Sequence, residues 1–292
     1  MFLEVYEFHY KQVPLLAGAA LKKLSHVSSF ETYISLDLGL SLSRVTIDET
    51  CIILEDYGIK LPLSKILESK VKENSVYAII NENIQELSLI TKNKYYKLKA
   101  PYLNKAPTLE ISGIHMHRIK GIDPWKDSLL KVKKARIKKG SIVLDTCTGL
   151  GYTAIGALRF GAKHVFTVEN DENVLALSQY NPWSKFLEDN RITVLLGDVF
   201  EVIDFFQDGV FDRIIHDPPR FSLAGHLYSR EFYRKLYQKL KPGGILFHYI
   251  GSPGQRRRVN MVKGVMNRLR EVGFYVKTEP KAQGVIAFKP RI

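Results

Sequence analysis

The sequence predicts an α/β protein in which a small β-rich domain precedes a doubly wound, mainly parallel sheet. Three observations predict it. From Ser141 onward, short apolar runs alternate with helical stretches, the pattern of a parallel sheet with helices on its faces. The last two runs, Tyr275-Val276-Lys277-Thr278 and Gly284 to Phe288, are joined by a short turn. They form a hairpin that places one antiparallel strand in that sheet. Between Glu31 and about residue 115, by contrast, apolar and polar residues alternate with a period of two, as half-buried strands do.

Taken in order, residues 1–30 are partly helical and end in the amphipathic run Leu21-Lys22-Lys23-Leu24. Ile34, Leu36 and Leu38, then Val45 and Ile47, then Leu87 and Leu89 alternate with polar residues, and Gly39 and Asp56-Tyr57-Gly58 supply turns. Pro62 to Leu67 starts a short helix. Asp123-Pro124-Trp125 opens a helix that carries Leu129, Leu130, Val132 and Ala135 on one face and lysines on the other. Lys138-Lys139-Gly140 stops it. These patterns divide the chain into a β-rich domain over 1–118 and an α/β domain over 119–292. In the second, Ile142-Val143-Leu144, His164 to Val168, Ile192 to Leu195, Arg213 to His216 and Ile245 to Ile250 are strands one to five. The helices between them cover Tyr152 to Phe160, Asn173 to Gln179, Val199 to Phe206 and Ser229 to Leu240, and another runs from about Arg257 to Val272.

The formal charge is +13 over 292 residues, and it is clustered. Lys120 to Lys139 holds 8 basic and 2 acidic residues, and Arg220 to Ile292 holds 16 basic and 3 acidic. Such clustering favours a polyanionic partner and disfavours a polycationic one. The two cysteines, Cys51 and Cys147, lack metal-ligand spacing, so neither a disulfide framework nor a metal site is expected. His115 and His117 share one face of a strand without a cysteine or carboxylate beside them in sequence, and a structural role is expected for both. The apolar run Leu15 to Leu21 is too short to span a membrane, and a cytoplasmic protein is expected. Lys94, Tyr95 and Tyr96 lie in a basic and aromatic stretch that could grip RNA by phosphate contact and stacking. Arg256, Arg257 and Arg258 follow strand five and suit phosphate contacts.

The chemistry is concentrated at the C-terminal ends of the strands, where open α/β sheets bind ligands. Strand one runs into Asp145-Thr146-Cys147-Thr148-Gly149-Leu150-Gly151 and then a helix, whose N-terminus offers free N–H donors. Glu169-Asn170 ends strand two, where a carboxylate can take both ribose hydroxyls. Asp198-Val199 follows strand three, where the acid can accept from an adenine amino group. Strand four ends in His216-Asp217-Pro218-Pro219-Arg220-Phe221, a turn that the prolines stiffen. Its carboxylate can hold an amine.

This set resembles the class I S-adenosylmethionine-dependent methyltransferases, with a Rossmann-like seven-stranded sheet and a terminal antiparallel hairpin. The resemblance covers about residues 124–292. It implies S-adenosylmethionine as cofactor, held by Asp145, Thr146, Cys147, Thr148, Gly149, Gly151, Glu169, Asn170, Asp198, Val199 and Asp217. Asp-Pro-Pro followed by an aromatic is the turn of methyltransferases acting on exocyclic amines of nucleobases. By that resemblance Asp217, Pro218, Pro219, Arg220 and Phe221 carry catalysis. The carboxylate and the following carbonyl accept the two amine hydrogens, so that the lone pair points at the methyl donor. Arg220 stands where the aromatic is expected, and an arginine plane or Phe221 could stack on the base. The implied function is methylation of an exocyclic base nitrogen in RNA, cytosine N4 in ribosomal RNA first and transfer RNA second. The chain, with its Met-His-Arg segment and Asp-Pro-Pro-Arg turn, also resembles an archaeal methyltransferase family sometimes labelled spermine synthase-like. The alternative is therefore a polyamine aminopropyltransferase-like enzyme, although no Gly-Gly-Gly-Asp-Gly-type loop is present and the charge disfavours a cationic substrate.

Overall fold

The structure is a computed structural model. It describes residues 3–24, 30–251 and 255–291, with side chains for all of these except 30 and 255–259. The chain forms two compact units: Met1–Phe8, Lys126–Glu172 and Phe186–Ile292 make one, and His9–Trp125 with Asn173–Lys185 make the other.

The first unit is built on one sheet. Its strands are β1 (Ile142–Asp145), β2 (His164–Glu169), β3 (Ile192–Leu196), β4 (Phe211–His216), β5 (Leu240–Tyr249), β6 (Tyr275–Glu279) and β7 (Gly284–Phe288). Their spatial order is β3-β2-β1-β4-β5-β7-β6, and Glu4–Val5 pairs antiparallel outside β3. β1 to β5 are mutually parallel, and β7 runs antiparallel to both β5 and β6. The terminal hairpin and its single reversed strand are thus present. Reversal of order at β1 and β4 brings Asp145 level with Thr167 and Ile215, so the loops after β1 and β4 leave the same sheet edge side by side.

From residue 124 onward, the α-helices among the described residues are α1 (Pro124–Ala135), α2 (Tyr152–Arg159), α3 (Glu172–Ser178), α4 (Val199–Val202), α5 (Arg230–Lys239) and α6 (Gln255–Val272). Apolar strands bury both faces of the sheet, as a parallel sheet requires. On one side Leu144, Val168, Ile214 and Leu246 pack with Phe232 and Leu236 of α5 and Val265 and Leu269 of α6. α2 is buried from Tyr152 to Leu158. The sequence places the start of β5 at Ile245, after Lys241-Pro242-Gly243-Gly244. The strand instead begins at Leu240, opposite Phe211, and resumes the pairing at Ile245 opposite Arg213 after a register shift. A bulge absorbs the proline and glycines that would otherwise end a strand.

Among the described residues the second unit holds three small sheets. Phe30–Ile34, Ser43–Ile47, Cys51–Leu54 and Ile59–Pro62 form an antiparallel meander. Leu15–Ala17, Val76–Ile80 and Asn83–Glu86 form the second sheet, and Ser88–Ile90, Tyr95–Lys99, Thr108–Ile111 and Ile114–His115 the third. Leu16, Leu21, Val45, Ile52, Leu61 and Ile79 share one core. In this unit the Trp125 and Trp183 rings lie 5.7 Å apart. No helix among the described residues is long and apolar enough to cross a membrane.

Candidate active site

The loop after β1 is held from below by a buried carboxyl. Asp145 is fully buried. Thr153 Oγ1 of α2 lies 3.0 Å from both its oxygens, and Thr167 Oγ1 of β2 donates to Oδ2 at 2.9 Å. Thr148 Oγ1 joins the cluster 2.7 Å from Thr167 Oγ1. Burial pushes the Asp145 carboxyl up to about 8, against the pull of the two threonine hydroxyls. By the resemblance Asp145 is a cofactor-binding residue. In the structure its carboxyl is turned into the protein, where it ties α2 to β2.

Thr146 and Thr148 are also buried, so their hydroxyls serve the protein. Thr146 Oγ1 lies 2.7 Å from His216 Nδ1, and His216 Nε2 lies 3.0 Å from the Leu227 carbonyl. A carbonyl only accepts, so Nε2 carries the proton and Nδ1 accepts from Thr146. Burial brings the His216 pKa down to about 3, and the ring is a neutral core brace. Cys147 packs against the core, and burial raises its thiol well above the ordinary value.

The two glycines differ in purpose. Gly149 has φ +52° and faces open space, with nothing within 4 Å of where a Cβ would stand. Gly151, at φ +75°, N-caps α2, and a Cβ there would lie 2.6 Å from Leu187 Cδ1. The loop therefore presents backbone, not side chains, to a ligand at a helix N-terminus. Glu169 ends β2 and braces this loop: Oε2 accepts from Gly149 N at 2.8 Å, and Oε1 from the Asn170 and Asp171 nitrogens at 3.0 and 3.1 Å. Burial raises its pKa, and those backbone donors oppose the shift. Asn170 is exposed. Asp198 caps α4, accepting from Phe200 N at 2.9 Å, and Val199 behind it is buried. His226 Nε2 lies 3.1 Å from Asp198 Oδ2. An open glycine loop at a helix start, with acids closing β2 and β3, fits a nucleoside bearing a ribose and an amino-substituted base.

At the end of β4 stands a residue that the sequence did not single out. Lys131, on α1, is 1% exposed, and its Nζ lies 2.6 Å from Asp217 Oδ2 and 3.2 Å from Asp127 Oδ2. The same ammonium sits 3.9 Å from the ring centre of Tyr249, the last residue of β5. Burial lowers the pKa of Lys131, but Asp217 and Asp127 overcome this and leave it above the ordinary value. Asp217 is partly buried; burial raises its pKa and Lys131 opposes the rise. Lys131, expected among the lysines on the face of α1 opposite its apolar residues, is thus buried. Pro218 is buried, while Pro219, Arg220 and Phe221 are exposed. Tyr228 Oη donates to the Pro219 carbonyl at 2.9 Å, and its ring meets Phe221 edge-on at 5.5 Å. The turn is therefore clamped at Asp217 and at Pro219, and it leaves an aromatic ring facing solvent.

The expected RNA contacts fare unevenly. Lys94 is exposed and Tyr95 half-buried, but Tyr96 is 2% exposed. On the strand Tyr95–Lys99 successive side chains point to opposite faces, so Tyr96 and Leu98 fill the core and Tyr96 is corrected to a packing residue. Lys97 and Lys99 on the outer face pair with Glu110 at 3.0 Å each. The side chains of Arg256, Arg257 and Arg258 lie outside the described residues. His115 pairs with Glu110 and His117 with Thr108, and no metal-holding cluster occurs among the described residues.

The fold is one suited to S-adenosylmethionine or its decarboxylated form. Residues 135–282 match the family described as the spermine/spermidine synthase domain. An uncharacterized protein of Methanocaldococcus jannaschii is 45% identical over 276 residues, covering 92% of this chain and 93% of that protein. The chain belongs to the spermine/spermidine synthase domain family. Putrescine N-methyltransferase 1 of Nicotiana tabacum is 28% identical over 142 residues, covering 47% of this chain and 38% of that protein. Ribosomal RNA large subunit methyltransferase I of Pseudoalteromonas translucida is 31% identical over 122 residues, covering 39% and 31%. The chain spans less than half the length of these two relatives. Spermidine synthase from Thermotoga maritima shares the fold with a TM-score of 0.56 at 19% identity, covering 70% of this chain and 72% of that one.

Proposed function

We propose that the protein alkylates an amine nitrogen held at Asp217, and that the amine is an exocyclic base nitrogen in RNA, cytosine N4 in ribosomal RNA first and transfer RNA second. The observation that carries this reading is the pairing of Asp217 with buried Lys131. A polyamine brings several positive charges and seeks uncompensated carboxylates. An aryl amine is neutral and needs only an acceptor, which a paired carboxylate still is. The clustered positive charge of the chain supports a polyanionic substrate in the same direction.

When bound, S-adenosylmethionine supplies a methyl activated on a positively charged sulfur. Gly149, Glu169 and Asp198 would hold its nucleoside part. Asp217 accepts an amine hydrogen and so turns the nitrogen lone pair towards the methyl; after transfer the nitrogen carries one proton too many, and the same carboxylate is placed to take it. Pro218 and Pro219 fix where that carboxylate stands. Phe221, 52% exposed, supplies a face for base stacking, with Arg220 beside it. Lys94 and Tyr95 would add a phosphate contact and stacking.

The family match and the putrescine N-methyltransferase relative favour a second reading, in which the amine belongs to a polyamine and the donor is S-adenosylmethionine or its decarboxylated form. Asp127, Lys131 and Asp217 together carry one net negative charge when all are ionised, enough to welcome a single cationic centre. Replacement of Asp217 by Asn tests the shared core of both readings. Transfer to any amine should fall by about 100-fold or more, with cofactor affinity measured by calorimetry near that of the wild type. Unchanged transfer in Asp217→Asn would remove Asp217 from the chemistry.

A further inference from the structure

We propose that Lys131 is a positioning residue of the amine site: a built-in counter-ion on α1 that fixes Asp217 in one orientation and in its ionised form. The proposal rests on the reading of Asp217 as the amine acceptor. Its basis is geometric. The ammonium is held from three elements at once, by Asp217 Oδ2 at 2.6 Å after β4, by Asp127 Oδ2 at 3.2 Å one turn earlier on α1, and by the Tyr249 ring at 3.9 Å on β5. The Lys131 side chain is 1% exposed, whereas that of Asp217 is 16% exposed. The clamp is thus sealed inside while part of the carboxylate remains open at the edge of the sheet where ligands bind.

A buried ion pair adds little stability over an apolar pair of the same size. Its placement here suits another task. Burial and the charge of Asp127 on α1 oppose ionisation of Asp217, and Lys131 favours it. Lys131 supplies the positive charge on which an ionised, hydrogen-accepting Asp217 depends. In the transfer itself, the amine lone pair forms the new N–C bond, the S–C electron pair stays on sulfur, and the surplus proton leaves nitrogen for the Asp217 carboxylate. Only an ionised carboxylate can take that proton.

The test compares the wild type with Lys131→Met, Lys131→Arg and Asp127→Asn. The Asp217 carboxyl is followed by carbon-13 NMR across pH, its signal assigned by its loss in Asp217→Asn, and amine transfer is followed in parallel. Lys131→Met should raise the Asp217 midpoint by about 1–3 pH units and move the acid limb of kcat/KM upward with it. Its kcat should fall on the order of 10–100-fold, with the cofactor KM little changed. Lys131→Arg should restore most of both. Asp127→Asn keeps the lysine and should lower the midpoint, so the test survives if Lys131→Met does not fold. An Asp217 midpoint unmoved by these changes, or a shifted midpoint with wild-type kcat and pH profile, would overturn the proposal. Wild-type protein that transfers to no amine, with the midpoint still shifting as described, would instead defeat the amine reading and leave Lys131 as the counter-ion of Asp217.

Discussion

Substituting alanine at Gly151 and at Gly149 separates two roles that one loop combines. At Gly151 the backbone sits at φ +75°, and a new Cβ would stand 2.6 Å from both Leu187 Cδ atoms and 2.7 Å from Cγ. Leu187 is 2% exposed, so the whole side chain must shift within a packed core. The left-handed backbone costs roughly 1–2 kcal/mol for a residue with a Cβ, and overpacking adds roughly 1–3 kcal/mol. Gly151→Ala should therefore destabilise the unit by about 2–5 kcal/mol in urea unfolding. At Gly149 the backbone term is similar, with φ +52°, but the Cβ meets nothing. Gly149→Ala should cost about 1–2 kcal/mol and should lower S-adenosylmethionine affinity disproportionately, because the methyl fills the space over the loop. A double mutant with Leu187→Ala should relieve part of the Gly151→Ala cost through a coupling of about 1–3 kcal/mol. Equal stability losses for the two alanine variants, or no coupling to Leu187, would refute the division of roles.

Other outcomes follow from the same geometry. Burial carries Asp145 from 3.8 to about 8, and a raised acid is stabilising below its unfolded pKa and loses that contribution as pH rises through its folded value. The urea midpoint of the wild type should fall between about pH 4 and pH 8, and Asp145→Asn, which can still bond both threonines, should flatten that fall. Tyr96→Ala should cost about 3–5 kcal/mol, as for a buried ring, whereas Tyr95→Ala should leave stability nearly intact and weaken RNA binding by about 1–3 kcal/mol in a filter or calorimetric titration. Tyr228→Phe removes the bond to the Pro219 carbonyl; stability should drop by about 1 kcal/mol, and the transfer rate should drop while cofactor affinity holds.

The sheet was legible because its strands bury both faces: runs such as Ile142-Val143-Leu144 leave little room for another reading. The start of β5 was not, since Pro242-Gly243-Gly244 carries the ordinary signal for a break and only tertiary pairing with Phe211 reveals the bulge. Glu4–Val5 is too short to show a period, and its pairing with β3 appears only in three dimensions. At the site, glycine spacing and strand-end acids could be read directly, because they depend on local chain position. What those acids do could not, because it depends on neighbours distant in sequence. Asp145 meets Thr167 from the next strand, and Asp217 meets Lys131 from 86 residues away. Lys131 was further hidden by company, lying in a helix rich in lysines that reads as solvated. Its spacing of four from Asp127 was the one local signal. For Tyr96 the period of two was available and places it beside Leu98, facing inward, although the basic and aromatic composition suggested a surface.

The identity of the amine separates an RNA substrate from a polyamine. The most direct measurement incubates the protein with methyl-labelled S-adenosylmethionine and, separately, with ribosomal RNA, ribosomal subunits, transfer RNA, putrescine and spermidine, then digests each and identifies the labelled product. Label is expected on an exocyclic base nitrogen, N4-methylated cytidine first, and is lost in Asp217→Asn. Label on a C5-methyl or ribose product would contradict amine transfer, and label confined to putrescine or spermidine would contradict the RNA reading in favour of the polyamine one.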